Sequence, residues 1–172
     1  DIRLGVVDPG LRCKTCGQRT KHCGGHFGHM DLARPVINIL YIDYINTFLK
    51  VTCEECSRIL ANDEKIKKHL EKLEIIENER SAKAKRKEIS EFLNSLKTVK
   101  KCPHCNVKQK KITIEKPSTF LADGKRLTGI QIKSRFEKIP YNDFISLLMN
   151  PIFARPEWMI INILAVPPVT MR

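Results

Sequence analysis

Three features of the sequence predict an α+β fold of modest size whose parts are stapled together rather than held by one large core. Six of the seven cysteines stand in three Cys-x-x-Cys pairs, at 13/16, 53/56 and 102/105. Between the second and third pairs, Asp63 to Val99 runs without a proline or glycine and carries two apolar stripes at helical spacing. Lys111-Ile112-Thr113-Ile114-Glu115-Lys116 alternates and is rich in β-branched residues, the pattern of a short strand. With 172 residues and 42% hydrophobic content, the chain has material for one domain or two small ones.

Taken in order, residues 1–34 are turn-rich, with Asp8-Pro9-Gly10, Gly17, Gly24-Gly25 and Gly28, and predict irregular backbone with little core of its own. Pro35 stands where a first helical residue often stands. Val36, Ile39, Leu40, Ile45, Phe48 and Leu49 then predict a helix over about 35–50 that leads to Cys53. In 63–99, Ile66, Leu70, Leu73 and Ile76 form one stripe, and Ile89, Phe92, Leu93, Leu96 and Val99 the other. Ser81 is a natural cap for the second stripe, so a helical hairpin is expected, with one long helix as the rival. Its polar faces suggest that it projects from the body. Thr128 caps a helix to about Lys138, Pro140 stops it, and a short helix follows over about Asn142 to Met149. Trp158 to Leu164 predicts a buried strand. The organisation expected is therefore 1–60, an insertion at 61–101, and 102–172, all within one domain.

The cysteines carry the chemistry. An odd count and wide scatter argue against a secreted disulfide framework, and three pairs do not suit a thioredoxin-like redox motif. Metal binding in a reducing interior is the better account. Cys13-x2-Cys16-x6-Cys23-x2-His26 offers two close pairs on tight turns, able to converge on one tetrahedral zinc. Cys53-x2-Cys56 and Cys102-x2-Cys105 make the second set, closed across the insertion, since loop-closure cost grows only logarithmically with length. Seven cysteines and one histidine complete two zinc sites. His29 is the rival to His26; His22 points poorly for the same ion, His104 is expected to face outward from its turn, and His69 is expected on the surface. An interleaved pairing, with Cys13 and Cys16 sharing an ion with Cys53 and Cys56, is the alternative to sequential pairing. A small zinc-stabilised module with two structural Zn2+ is the expectation.

Net charge is +12, which favours a polyanionic partner. The excess is central: residues 61–101 carry 12 basic and 8 acidic side chains, and 102–138 carry 9 and 3. Candidate nucleic-acid contacts are Lys108, Lys110 and Lys111, beside the second zinc set, and after them the run Arg80 to Lys87, expected at a mobile tip. Aromatics are only 6% and do not interleave with the basic residues, so a stacking platform for single strands is not expected. No Walker-type loop, Gly-x-Ser-x-Gly elbow or His-Glu-x-x-His occurs. Glu54 and Glu55, between two cysteines, are expected to be exposed rather than acid–base groups. No apolar run is long enough to span a bilayer. The chain opens at Asp1, which suggests a piece of something longer.

Several blocks resemble a known family. Leu4-Gly5-Val6-Val7-Asp8-Pro9-Gly10-Leu11-Arg12-Cys13, Cys23-Gly24-Gly25-His26-Phe27-Gly28-His29 and Leu32-Ala33-Arg34-Pro35-Val36 are similar to the clamp region of the largest subunit of multisubunit RNA polymerases. Arg155-Pro156-Glu157-Trp158-Met159 and Val166-Pro167-Pro168-Val169-Thr170-Met171-Arg172 match further blocks in the same order. The similarity spares only about 61–100 and 118–127. Glu157 and the Asp-Pro-Gly-Leu-Arg-Cys opening favour the archaeal form, with the eukaryotic nuclear form second. Gly24 and Asn106 stand where the family usually has proline and often has glycine, and Ala165 replaces a common proline. These differences touch local turns, not ligands.

The resemblance implies zinc on Cys13, Cys16, Cys23 and His26, and on Cys53, Cys56, Cys102 and Cys105. It implies a clamp that closes on downstream DNA and the DNA–RNA hybrid, with other polymerase subunits as partners, especially the second-largest. General initiation factors and NusG-type elongation factors are further partners through the wider clamp. The family's catalytic Asn-Ala-Asp-Phe-Asp-Gly-Asp loop, with its Mg2+, is absent from this sequence, as is the family's clamp coiled coil. No residue here is therefore expected to be catalytic. The location implied is cytoplasmic for the archaeal form and nuclear for the eukaryotic one. The competing expectation is a free-standing zinc-ribbon protein that binds nucleic acid or regulates transcription.

Overall fold

The computed structural model describes residues 1–78, 81–115, 117–147, 149–168 and 171. It is an α+β chain of two units, one formed by Asp1–Arg34 with Ile161–Arg172 and the other by Pro35–Ile160.

In the first unit the backbone is irregular to residue 27 and then enters strand β1 (Gly28–Ile37), which pairs with β5 (Ile160–Val166) in a two-stranded sheet. The N-terminal segment is laced to the first cysteine hairpin and the knuckle after it. His26 N–H donates to the Leu4 carbonyl at 3.1 Å, Lys14 N–H to Ile2 at 3.1 Å, and the Thr15 hydroxyl to Arg3 at 2.6 Å. Gly5 makes the close approach possible: its φ is +121°, and a Cβ there would stand 3.2 Å from the Gly25 Cα. Val6, Cys13 and Cys23 form the small buried core, with Ile2 against it.

The second unit is built on α1 (Ile42–Val51), whose Ile45, Phe48, Leu49 and Val51 are buried. Packed around it are the helical hairpin of α2 (Asp63–Asn78) and α3 (Ala82–Leu96), the sheet of β2 (Ile112–Glu115), β3 (Thr119–Ala122) and β4 (Lys125–Leu127), and α4 (Gly129–Glu137). The Phe48 and Phe136 rings meet edge to face, with centroids 6.1 Å apart. Ser81 caps α3 by accepting from Ala84 N–H. Thr128 and Gln131 form a reciprocal capping box on α4, and Pro140 stands at the N-cap of α5 (Tyr141–Ser146).

Several expectations need correction. The helix expected over 35–50 begins only at Ile42, because Pro35 to Ile37 belong to β1 and a 3₁₀ turn covers Ile39–Tyr41. Val36 and Ile37 are β-branched and proline is tolerated in an edge strand, so pairing wins there over the apolar period. Asn38 N–H continues the ladder to Met159 O at 3.0 Å, and its side chain caps the 3₁₀ turn. Residues 28–34, read as irregular, are strand. The stretch expected as a buried strand from Trp158 divides into a 3₁₀ turn (Pro156–Met159) and β5, and most of β5 is exposed. Its apolar composition suggested a core strand, but a two-stranded sheet leaves both faces of β5 open among the described residues.

The insertion is the expected hairpin, but it does not simply project. Ile66 of α2 and Phe92 and Leu96 of α3 belong to the main core. His69, expected on the surface, is only 2% exposed and lies in the seam between the two helices. Residues 82–87 form the first turns of α3, while Arg80, which begins the basic run, lies outside the described residues, as do Lys116, Val169, Thr170 and Arg172. Like β1, strands β3 and β4 are additional to the sequence expectation. Asp123 and Gly124, at φ 47° and 80°, make a two-residue hairpin turn that joins β3 to β4, with Ala122 opposite Lys125.

Candidate metal centres

Each Cys-x-x-Cys pair sits on the same small hairpin. The first cysteine's N–H is bonded across the turn, from Cys13 to Gln18 O at 2.9 Å, Cys53 to Arg58 O at 2.8 Å and Cys102 to Val107 O at 3.0 Å. One bridge closes each base, at Arg12 and Arg19, Thr52 and Ile59, and Lys101 and Lys108. The residue after the second cysteine turns left-handed in all three: Gly17 at φ 71°, Ser57 at 57° and Asn106 at 59°. That twist turns both thiols of a pair to one side of the hairpin. Turn amides then point at sulfur, with Thr15 N–H on Cys13 Sγ and His104 N–H on Cys102 Sγ, both at 3.4 Å.

The ligand atoms of Cys13, Cys16, Cys23 and His26 all lie within 4.8 Å of one another, and so do those of Cys53, Cys56, Cys102 and Cys105. In the first cluster His26 Nε2 stands 3.7 Å from Cys23 Sγ. In the second, Cys53 and Cys105 are 3.4 Å apart, and Cys56 and Cys102 3.7 Å. Thiolates at about 2.3 Å from one tetrahedral centre stand about 3.8 Å apart, so the spacing suits zinc and is far too long for a disulfide. His29 lies exposed in β1 and His22 is exposed; neither joins a cluster. The grouping is sequential, one cluster in each unit, rather than interleaved. Among the described residues no third set of this kind occurs.

The electrostatics also suit a cation. The N–H groups of Cys16 and Thr15 hold the Cys13 thiol down at about 6. Burial pushes Cys53 up, but the N–H groups of Cys56 and Glu55 outweigh it and bring the thiol to about 7. Cys56 is pushed up to about 12, chiefly by burial, with its three thiol neighbours adding to the rise. Burial also raises Cys102. Cys13 and Cys53, one in each cluster, are the thiols that ionise most readily, whereas Cys56 and Cys102 resist until positive charge arrives.

A family model described as RNA polymerase Rpb1, domain 1, matches residues 1–172. The chain belongs to this family. It is 46% identical over 176 residues to DNA-directed RNA polymerase subunit Rpo1N of Methanocaldococcus jannaschii, covering all of this chain and 13% of that protein. The identity is 42% over 181 residues with the Rpo1N of Thermococcus celer, covering all of this chain and 20% of the relative. It is 30% over 249 residues with that of Halobacterium salinarum, covering all of this chain and 25% of the relative. The chain thus spans at most a quarter of the length of these relatives.

In this Rpb1 domain 1 chain, three residues that belong to no motif brace the second cluster. The Gln109 side chain accepts from Glu54 N–H at 3.1 Å and donates to Cys53 Sγ at 3.4 Å and Val107 O at 3.0 Å, tying the two hairpins together. Arg58 donates to Asp63 at 3.2 Å, to buried Asp143 at 3.4 Å and to His104 Nδ1 at 3.2 Å. His104 therefore faces Arg58 rather than solvent. Arg135 donates to the carbonyls of Leu49 at 2.8 Å and of Thr52, at the C-terminus of α1, where a cation meets the negative end of the helix. Burial lowers Arg135 to about 10, while Glu54 and the Cys53 thiolate act the other way. The sequence alone does not single these residues out, because only contact across a long stretch of chain reveals them.

Of the lysines read as nucleic-acid contacts, Lys108 and Lys111 are exposed, and Lys110 pairs with Glu54 at 2.5 Å, which raises the lysine pKa. Glu54 is thus a partner rather than a free exposed acid, and Glu55 is exposed as expected. In the α3 run, Lys85 pairs with Glu77 and Lys87 with Glu91. Among the described residues no helix is long and apolar enough to cross a membrane.

Proposed function

We propose that this chain is the zinc-bearing clamp segment of the largest subunit of an archaeal-type DNA-directed RNA polymerase, a structural and nucleic-acid-retaining part without catalytic residues of its own. The observation that carries the reading is the pair of four-ligand clusters within a chain matched along its whole length by the family model. Cys13, Cys16, Cys23 and His26 would hold one zinc ion, and Cys53, Cys56, Cys102 and Cys105 the other. With four protein ligands each, the ions serve as cross-links and leave no position open for a reacting water. The chain's own residues then set rigid turns: Gln109 and Arg58 lock the second and third hairpins, and Arg135 anchors the end of α1 beneath them.

On this reading the Mg2+ site and nucleotide chemistry belong to the rest of the polymerase. Lys108, Lys110 and Lys111 face the nucleic acid, the second-largest subunit is the chief neighbour, and initiation and elongation factors dock on the wider clamp in the cytoplasm. A free-standing zinc-ribbon regulator is disfavoured by family matching that runs through the whole chain to proteins several times longer.

The test is a polymerase assembled with the double variant Cys102→Ser/Cys105→Ser. Preformed complexes on a DNA–RNA scaffold should dissociate at least tenfold faster at raised salt, while nucleotide addition by the complexes still intact keeps its rate. Loss of the addition rate with unchanged complex lifetime would overturn the proposal.

A further inference from the structure

A hollow of about 630 Å³ in the second unit lies beside the third cysteine hairpin, and lysines line it. Lys50 comes from the last turn of α1, Lys97 and Lys100 from the turn after α3, and Lys110 and Lys111 from the chain entering β2. No carboxylate and no aromatic ring lines it. Of the five ammonium groups, Lys110 is paired with Glu54, and Lys97 donates to the neutral Asn94 side chain at 2.8 Å. No ion pair is formed by Lys50, Lys100 or Lys111 among the described residues.

The spacing of these lysines is built in. Gln109 N–H donates to Lys100 O at 2.9 Å, and the Lys101–Lys108 bridge continues the pairing into the hairpin that carries Cys102 and Cys105. The Gln109 side chain, tied to Cys53 Sγ and Val107 O, fixes the floor. Glu54 answers Lys110 alone, and an anionic occupant would supply the counter-charge that Lys50, Lys100 and Lys111 have in no ion pair among the described residues.

We infer that this hollow, made by Lys50, Lys97, Lys100 and Lys111 with Lys110 at its edge, seats the phosphate backbone of nucleic acid. The inference rests on the proposed nucleic-acid-retaining role and moves its centre from Lys108 toward α1 and the end of the insertion. Lysine ammoniums are point charges that contact phosphate without reading bases, so the seat is independent of sequence. An acidic protein segment would find little beyond Val99 and Ile112 to anchor an apolar side chain.

The test uses the assembled polymerase on a DNA–RNA scaffold and reads log dissociation rate against log salt. Three variants are compared: Lys50→Gln/Lys97→Gln/Lys100→Gln in the hollow, Lys83→Gln/Lys85→Gln/Lys87→Gln on α3, and Lys108→Gln/Lys125→Gln/Lys133→Gln elsewhere on the unit. Zinc content and melting temperature are checked for each. Each phosphate that is no longer neutralised lowers the magnitude of the salt slope by about 0.9. The hollow variant should therefore lower it by about two to three, the α3 variant should match the unaltered polymerase, and the variant carrying Lys108→Gln should lower it by about one at most. A change only in the third variant overturns the hollow while sparing the wider reading, and no change in any variant overturns both. An unchanged slope with loss of a protein subunit or factor from the hollow variant would assign the site to an acidic protein and also overturn the inference. Should the triple variant fail to assemble, a photo-crosslinker on Lys97→Cys should label the nucleic acid, whereas one on Lys85→Cys should not; labelling from Lys85→Cys alone counts against the seat.

Discussion

The imidazole of His69 lies flat on the ring of Phe92, with centroids 3.8 Å apart and planes within 4°. The pair joins α2 to α3 and is reached by Glu88 Oε1 at 3.5 Å from His69 Nδ1, while Nε2 is buried without a partner. Lys72 also faces Glu88, at 3.5 Å. Burial lowers the His69 pKa, and Glu88 only partly offsets it. A base with a depressed folded pKa gives stability that is full above its unfolded value, about 6.5, and is lost as pH falls through the folded value. The hairpin should therefore lose hydrogen-exchange protection as pH falls below about 6.5. His69→Phe, which keeps the stacking without the titration, should flatten that dependence. Protection of the unaltered hairpin that holds steady or rises on acidification would sink the assignment.

Metal content separates the two histidines. Purified chain should carry two zinc ions. His26→Ala should lose one of them, because the 3.7 Å contact with Cys23 Sγ places this imidazole in the first cluster, whereas His29→Ala should keep both. Elemental analysis after gel filtration decides it, and a stoichiometry of one in the unaltered chain would refute the eight-ligand assignment. As pH falls both sites should release metal, since the ligands bind in their deprotonated form and protons compete for them.

The clusters are legible in the sequence because ligand spacing is local: a Cys-x-x-Cys turn brings its own thiols together, and the only long-range step is to close 53/56 onto 102/105. The helical hairpin is legible for the same reason, as periodicity and the Ser81 cap are local signals. Asp123-Gly124 is equally local, and that dipeptide is a strong hairpin signal for the turn between β3 and β4. The other differences are of another kind. Pro35 to Ile37 are strand because β5, more than a hundred residues later, offers a ladder. His69 is buried because Phe92 arrives from the next helix, and Gln109 and Arg135 act on residues more than fifty positions away. No window of sequence contains those partners.

Asp143 ties α5 to the second hairpin. Its Oδ2 accepts from Ile59 N–H at 3.0 Å and its Oδ1 from Arg58 at 3.4 Å, with the side chain 1% exposed. Asp143→Ala leaves the Ile59 N–H unsatisfied in the core and should cost about 2–3 kcal/mol. Asp143→Asn keeps an acceptor for that N–H and should cost less, losing mainly the attraction to Arg58. Denaturant melts of the zinc-loaded protein measure both. Equal losses for the two variants would show that the charge pair, and not the backbone bond, holds α5 in place.

Ser57 occupies a position better suited to glycine. It follows Cys56 at φ 57°, a left-handed conformation that costs a residue with a Cβ about 1–2 kcal/mol, and its buried hydroxyl has no hydrogen-bond partner. Gly17 fills the matching place in the first hairpin without that cost, and Asn106 in the third has a side chain suited to the left-handed region. Ser57→Gly removes both the strain and the orphan hydroxyl, against about 0.5–1 kcal/mol for the greater freedom of glycine in the unfolded chain. The net should be a gain of about 1 kcal/mol, seen as a higher denaturation midpoint and slower zinc loss to a chelator from the second site, with the first site unchanged. Ser57→Val places a β-branched side chain in the same conformation and should do the reverse, releasing zinc from the second site first. If Ser57→Gly instead weakens zinc retention, the hydroxyl makes a contact that stabilises the hairpin, and the strain argument fails.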